Sequence, residues 1–319
     1  MTLPQMTQPE KYKVFLAFGL VYLFWGSTYL GINIAVRHIP PEVMTGIRFL
    51  IAGPLMLAWC KWSGRRVKIG RGDALRLAVI GVILLSVSNV TLSYSELVVP
   101  SGLASLLVAL VPLWLLVIET WILRGDRLTR RGMMGLPLGV AGVAILLWPE
   151  LNATSAMARR QLGWSLAVVF ASLAWAVGSV ISKRWQVQVD AFAASAWQMT
   201  FAGAVNLMMA GVLGEYARTQ WTREGAAAVA YLIVFGSWVG FSAYIWLLQN
   251  VPLPKVATYA YVNPVVAVIL GWLVLNERVD FYILVGSAIV IAAVILTTSA
   301  KVKNGRENLM EDKAFKSAG

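Results

Sequence analysis

The chain has 319 residues, 59% of them hydrophobic and only 13% charged, and a soluble domain of this size needs more charge than that to cover its surface. The net charge of +12 sits in short basic clusters between apolar runs, a distribution of membrane-flanking loops that excludes the continuous basic face of a nucleic-acid-binding protein. A single cysteine, Cys60, and a single histidine, His38, exclude an intrachain disulfide and any Cys- or His-based metal cluster, and no pattern calls for a cofactor.

Apolar stretches follow one another from end to end, long enough to cross a hydrocarbon core of about 30 Å. The first, 14–36, is too long for a signal-peptide core and lacks a cleavage pattern, so it is expected to stay as a helix. It carries Trp25 and Tyr29 one turn apart. The second, 42–61, holds Arg48 about 9 Å below its outer end, taking a rise of about 1.5 Å per residue. A charge at that depth costs several kcal/mol and needs a reason. Either Arg48 faces a cavity, where it holds a substrate carboxylate or closes an outer gate, or it forms a structural ion pair with Glu96.

The third stretch, 75–96, places Ser86, Asn89, Ser93 and Glu96 at spacings of 3, 4 and 3, which puts them on one helix face. The fourth, 101–123, contains Pro112, and Glu119 near its cytoplasmic end, which is a proton carrier or a carboxylate meeting Arg124 or Arg127 at the interface. A fifth stretch spans 132–149. In the sixth, 162–183, Trp175 and Ser179 repeat the spacing of Trp25 and Tyr29, and in the seventh, 190–213, Gln198 stands where the second has Arg48. The eighth, 226–249, aligns Ser237, Phe241 and Tyr244 on one face. The ninth, 254–276, bears Tyr259 and, midway, Asn263-Pro264, where proline removes a backbone donor and permits a bend. The tenth spans 281–300. Polar stripes of this kind line a wet path or join helices by hydrogen bonds.

Ten crossings put both termini on one side. With the N-terminus in the cytosol, Lys and Arg divide 20 inside to 6 outside, Arg48 apart, so the positive-inside rule places both ends in the cytosol.

The halves resemble each other. Leu23-Phe24-Trp25 aligns with Leu173-Ala174-Trp175, and Arg48 to Gly53 (RFLIAG) with Gln198 to Gly203 (QMTFAG), both at an offset of 150. Val111-Pro112 matches Asn263-Pro264, and Arg124-Gly125-Asp126-Arg127 matches Asn276-Glu277-Arg278. Five helices in each half would turn the second copy upside down, an arrangement that lets two similar halves exchange inward-open and outward-open shapes.

FWGSTY (Phe24 to Tyr29), Arg48-Phe49, VPSGLASLLVALVP (Val99 to Pro112) and AYVNPVVAVILGWLVLNE (Ala260 to Glu277) give the chain a resemblance, from Phe15 to Thr298, to the drug/metabolite transporter superfamily of the ten-helix EamA type. Asp126 departs from the Glu usual there but keeps the charge. The resemblance implies an all-α integral membrane fold of ten transmembrane helices, two inverted five-helix repeats (14–149 and 162–300) around a central cavity, with 301–319 as a cytoplasmic tail. It also implies a secondary transporter of the cytoplasmic membrane, exporting small metabolites such as amino acids or aromatic compounds. Trp25, Tyr29, Arg48, Asn89, Trp175, Gln198, Tyr244, Tyr259 and Asn263 are the expected substrate-binding residues, with a small molecule and the bilayer as partners. The alternatives are a channel, which would normally show a charged ring or carbonyl filter, and a subunit or sensor that transports nothing. An integral membrane enzyme would need a nucleophile, an acid/base pair or a metal cluster, and the sequence offers none of these constellations.

Overall fold

The computed structural model describes residues 11–118, 120, 130–185, 187–251, 256 and 258–299, and among them every regular element is helical. The long segments are α1 (Lys11–Val36), α2 (Pro41–Trp62), α3 (Arg71–Ser95), α4 (Ser101–Val117), α5 (Arg130–Leu146), α6 (Ala156–Arg184), α7 (Ala191–Val212), α8 (Arg223–Leu247), α9 (Tyr259–Leu275) and α10 (Phe281–Ser299). Of these α1, α2, α3, α6 and α8 are long and apolar enough to cross a membrane. Glu119, Asp126 and the tail 301–319 lie outside the described residues.

Local chemistry explains the boundaries. Pro40 precedes α2 and Pro100 precedes α4, where a missing N–H is no loss because the first helical donors lack intrahelical partners anyway. The Ser155 hydroxyl accepts from the Ala158 N–H and caps α6. That cap starts α6 at Ala156 rather than at 162, and it draws Arg159 and Arg160 from the expected loop into the helix. Asp190 caps α7 through the Phe192 N–H at 3.0 Å and takes an ion pair from Arg65 at 3.0 Å, which fixes the α2–α3 connection to the start of α7. At the end of α9, Asn276 adopts a left-handed φ of 55° and turns the chain back on itself.

α2 and α7 pack face to face with almost no side chain between them. A Cβ on Gly53 would strike Thr200 and would stand 2.7 Å from the Ala196 carbonyl. A Cβ on Gly203 would strike Leu50 and would stand 3.0 Å from the Gly46 carbonyl. The pairs are reciprocal at one offset: 53 corresponds to 203, 50 to 200 and 46 to 196. Such exchange of partners marks a local twofold relation between the two segments, as in an isologous contact. α5 and α10 repeat it at 151, where Gly135 meets Thr297 and Gly286 meets Leu146. In both pairs small residues let backbones approach closely, the usual route to tight helix packing in an apolar solvent.

α3 and α8 each contain a π-helical stretch, Val82–Ser88 and Leu232–Val239, with starts 150 residues apart. A π turn closes i→i+5 hydrogen bonds and takes more residues per turn, so the faces on either side of it lose the 3, 4, 3 register of a plain α-helix. Of the expected stripe, Ser86 lies inside the π stretch, whereas Asn89, Ser93 and Glu96 follow it at α-helical spacing; Asn89 reaches the interior cavity together with Ser88, and Ser93 bonds back to the Asn89 carbonyl at 2.8 Å.

Candidate functional site

Side chains from both halves wall a cavity of about 110 Å³. A water occupies about 10–15 Å³ of such space, so the cavity suits several waters or one small organic solute. α1 contributes Trp25, Thr28 and Tyr29; α2 contributes Arg48 and Phe49; α3 contributes Ser88 and Asn89; α4 contributes Ser105. Trp175 of α6, Phe241 of α8 and Tyr259, Asn263 and Pro264 of α9 complete the wall.

Trp25 is held on two sides. Its indole N–H donates to the Gly236 carbonyl at 3.2 Å, and its ring lies edge-on to Phe241 at 5.3 Å and Tyr259 at 5.4 Å between ring centroids. Gly240 makes room for the ring, since a Cβ there would stand 2.6 Å from the indole nitrogen. α1 is also fastened to α8 through a hydroxyl contact of Ser27 with Tyr231 at 2.6 Å and a stack of Phe24 on Phe235 at 4.7 Å.

Arg48 is 4% exposed. Its Nε donates to the Ser237 hydroxyl at 2.8 Å, and the guanidinium lies 4.9 Å from the Phe49 ring centroid. The ion pair with Glu96 that its depth suggested does not form. α2 turns Arg48 toward α8, while Glu96 ends α3 beside α1, where Asn33 donates to its backbone carbonyl at 2.9 Å and both carboxylate oxygens are buried without a hydrogen-bond partner. Glu42, in the first turn of α2, is likewise buried, but there the Tyr94 hydroxyl donates to its two oxygens at 2.7 and 2.8 Å.

Seven of the expected residues, Trp25, Tyr29, Arg48, Asn89, Trp175, Tyr259 and Asn263, stand in this wall; Tyr244 and Gln198 do not. Tyr244 lies behind the wall, 4.8 Å from Trp25 and 5.6 Å from Tyr259. At Gln198 the backbone of α7 comes close to α3, its carbonyl sitting 2.5 Å from where a Cβ on Gly81 would be. Thr28, Phe49, Ser88 and Ser105 were not expected. Ser88 closes the π stretch, and no local sequence signal announces that stretch.

The sequence pattern of the EamA-like transporter family matches the chain twice, over residues 12–148 and 162–299. The chain belongs to that family. This EamA protein is 35% identical over 289 residues to YedA of Escherichia coli, described as an uncharacterized inner membrane transporter, covering 90% of this chain and 91% of the relative. It is 24% identical over 287 residues to YoaV of Bacillus subtilis, an uncharacterized transporter, covering 90% and 97%. A solved crystal structure is similar in fold, with a TM-score of 0.64 at 19% identity and coverage of 90% of this chain and 97% of that one. An EamA membrane transporter is thus the setting in which the cavity must be read.

Proposed function

We propose that this EamA protein carries small, partly aromatic metabolites across the cytoplasmic membrane by alternating access, with its halves arranged as inverted five-helix repeats and both termini in the cytosol. The observation that carries this reading is the reciprocal packing of Gly53 on Thr200 and of Gly203 on Leu50, beside a cavity walled by both halves. Two halves related by a local twofold have two near-equivalent ways of tilting about a shared site, and a solute bound there is exposed to one side at a time. Trp25, Tyr259 and Trp175 supply ring faces and edges, each worth on the order of 1 kcal/mol to a flat solute.

The test is counterflow of labelled phenylalanine and tryptophan with purified protein in liposomes, with and without a pH gradient. Saturable exchange above protein-free liposomes is expected. Flux that never saturates would favour a channel, and no flux for any solute in a broad metabolite panel would leave the family's activity without a counterpart here.

A further inference from the structure

Arg48 brings a charge into the protein that its neighbours do not neutralise. Ser237 satisfies Nε, but Nη1 is buried with no hydrogen-bond partner, and no carboxylate among the described residues pairs with the guanidinium. Gly236 makes the room for it, because a Cβ there would stand 3.1 Å from Nη2. A buried guanidinium without a counter-ion is strongly unfavourable, and such groups face a cavity or pair with an anion. In the wall of the same cavity, the Asn263 Oδ1 is buried without a donor. The cavity thus joins one cation, one unpaired acceptor and an aromatic wall.

Resting on the transport reading above, we infer that the solute is a small amphipathic carboxylate and that Arg48 is its anion receptor. The carboxylate binds the guanidinium, the apolar body lies against Trp25, Tyr259 and Trp175, and an N–H on the solute meets Asn263 Oδ1. Gln198, the neutral counterpart of Arg48, is not in the wall, and Arg48 is the one cation among the described wall residues, which suits one anionic group. A purely cationic solute is rejected by the same charge.

The experiment measures binding by thermal shift in detergent, and counterflow in liposomes, for two matched pairs: phenylpropanoate with phenylpropanamide, and phenylalanine with phenylalaninamide. For the wild-type protein the carboxylate of each pair should bind at least about ten-fold more tightly than its amide, a modest return for one charge-assisted contact. Arg48→Gln should abolish the difference while keeping the amide's affinity, and Arg48→Lys should retain part of it. Equal wild-type affinities within each pair overturn the inference, whether or not the Gln variant folds, and so does a preference that survives in Arg48→Gln or the absence of any ligand-induced shift up to about 10 mM. Carboxylate-selective binding without counterflow supports the receptor and overturns the transport reading. Equal counterflow of acid and amide does the reverse.

Discussion

The carboxylate of Glu277 closes over the first turn of α4, accepting from the backbone N–H of Ser101 at 2.7 Å and from that of Gly102 at 3.0 Å. The left-handed Asn276 aims Glu277 back across Gly271, where a Cβ would collide with the carboxylate. A carboxylate at a helix N-terminus satisfies donors that have no intrahelical partner and meets the positive end of the helix dipole. Glu277 thereby fastens the end of α9 to the start of α4, joining the two halves. Glu277→Ala should lower the stability of the purified protein by about 1–2 kcal/mol, and Glu277→Gln, which keeps one acceptor, by less. An unchanged melting temperature in Glu277→Ala would remove the clamp from the account.

The close approach of α2 and α7 makes a second expectation. Gly53→Ala places a methyl group against Thr200 and the Ala196 carbonyl, both from a neighbouring helix that has little room to move. We expect a loss of about 1–3 kcal/mol, read as lower yield of folded protein and a lower melting temperature. Gly72→Ala, with nothing within 4 Å of its Cβ, should be neutral or slightly stabilising. Equal behaviour of the two variants would contradict the packing described.

Tyr94 and Glu42 form the third pair. Removing the hydroxyl in Tyr94→Phe deprives a buried carboxylate of a donor to both oxygens, which should destabilise the protein by about 1–3 kcal/mol. The double variant Tyr94→Phe with Glu42→Gln should recover part of that loss, since an amide tolerates burial better than a carboxylate. Additive effects in this cycle would mean that the two groups do not interact.

Trp175 and Trp272 separate a cavity role from general packing. Trp175 is in the wall, whereas Trp272, on α9, is 57% exposed on the outside of the bundle. Trp175→Ala should weaken exchange of an aromatic solute several-fold, in line with about 1 kcal/mol for a lost ring contact. Trp272→Ala should leave exchange near wild type. If both variants lose exchange equally, the effect belongs to membrane insertion or folding, and cavity contact is the wrong explanation.

Orientation is tested by reporter fusions. Those placed after Arg71 and at the C-terminus should report cytoplasm, and one after Thr154, between the two halves, should report the outside, as the 20 to 6 division of Lys and Arg predicts. A periplasmic C-terminus would overturn both the count of crossings and the inverted arrangement.

The amino-acid sequence by itself determined the solvent this protein lives in, the succession of helices, and the alignment of RFLIAG with QMTFAG. These follow from hydropathy and composition over windows of many residues, where small local errors average out. The family resemblance also rested on short contiguous stretches such as Ala260 to Glu277, and the matches at 12–148 and 162–299 agree with it. What a side chain faces depends on helix rotation, which no window reports. Trp25, Trp175 and Asn263 come to the cavity because α1, α6 and α9 present those faces inward. Gln198 does not, although its counterpart Arg48 does, and there the α7 backbone packs closely on Gly81 of α3. Ser88, at the wall, and Ser237, the partner of Arg48, both lie in π stretches that no sequence window announces. The choice of Ser237 over Glu96 as the partner of Arg48 was likewise set by side-chain direction, since α2 touches both α8 and α3. Charge and depth alone favoured the carboxylate, but an ion pair needs its groups within a few ångströms, and only the tertiary structure decides which groups are that near.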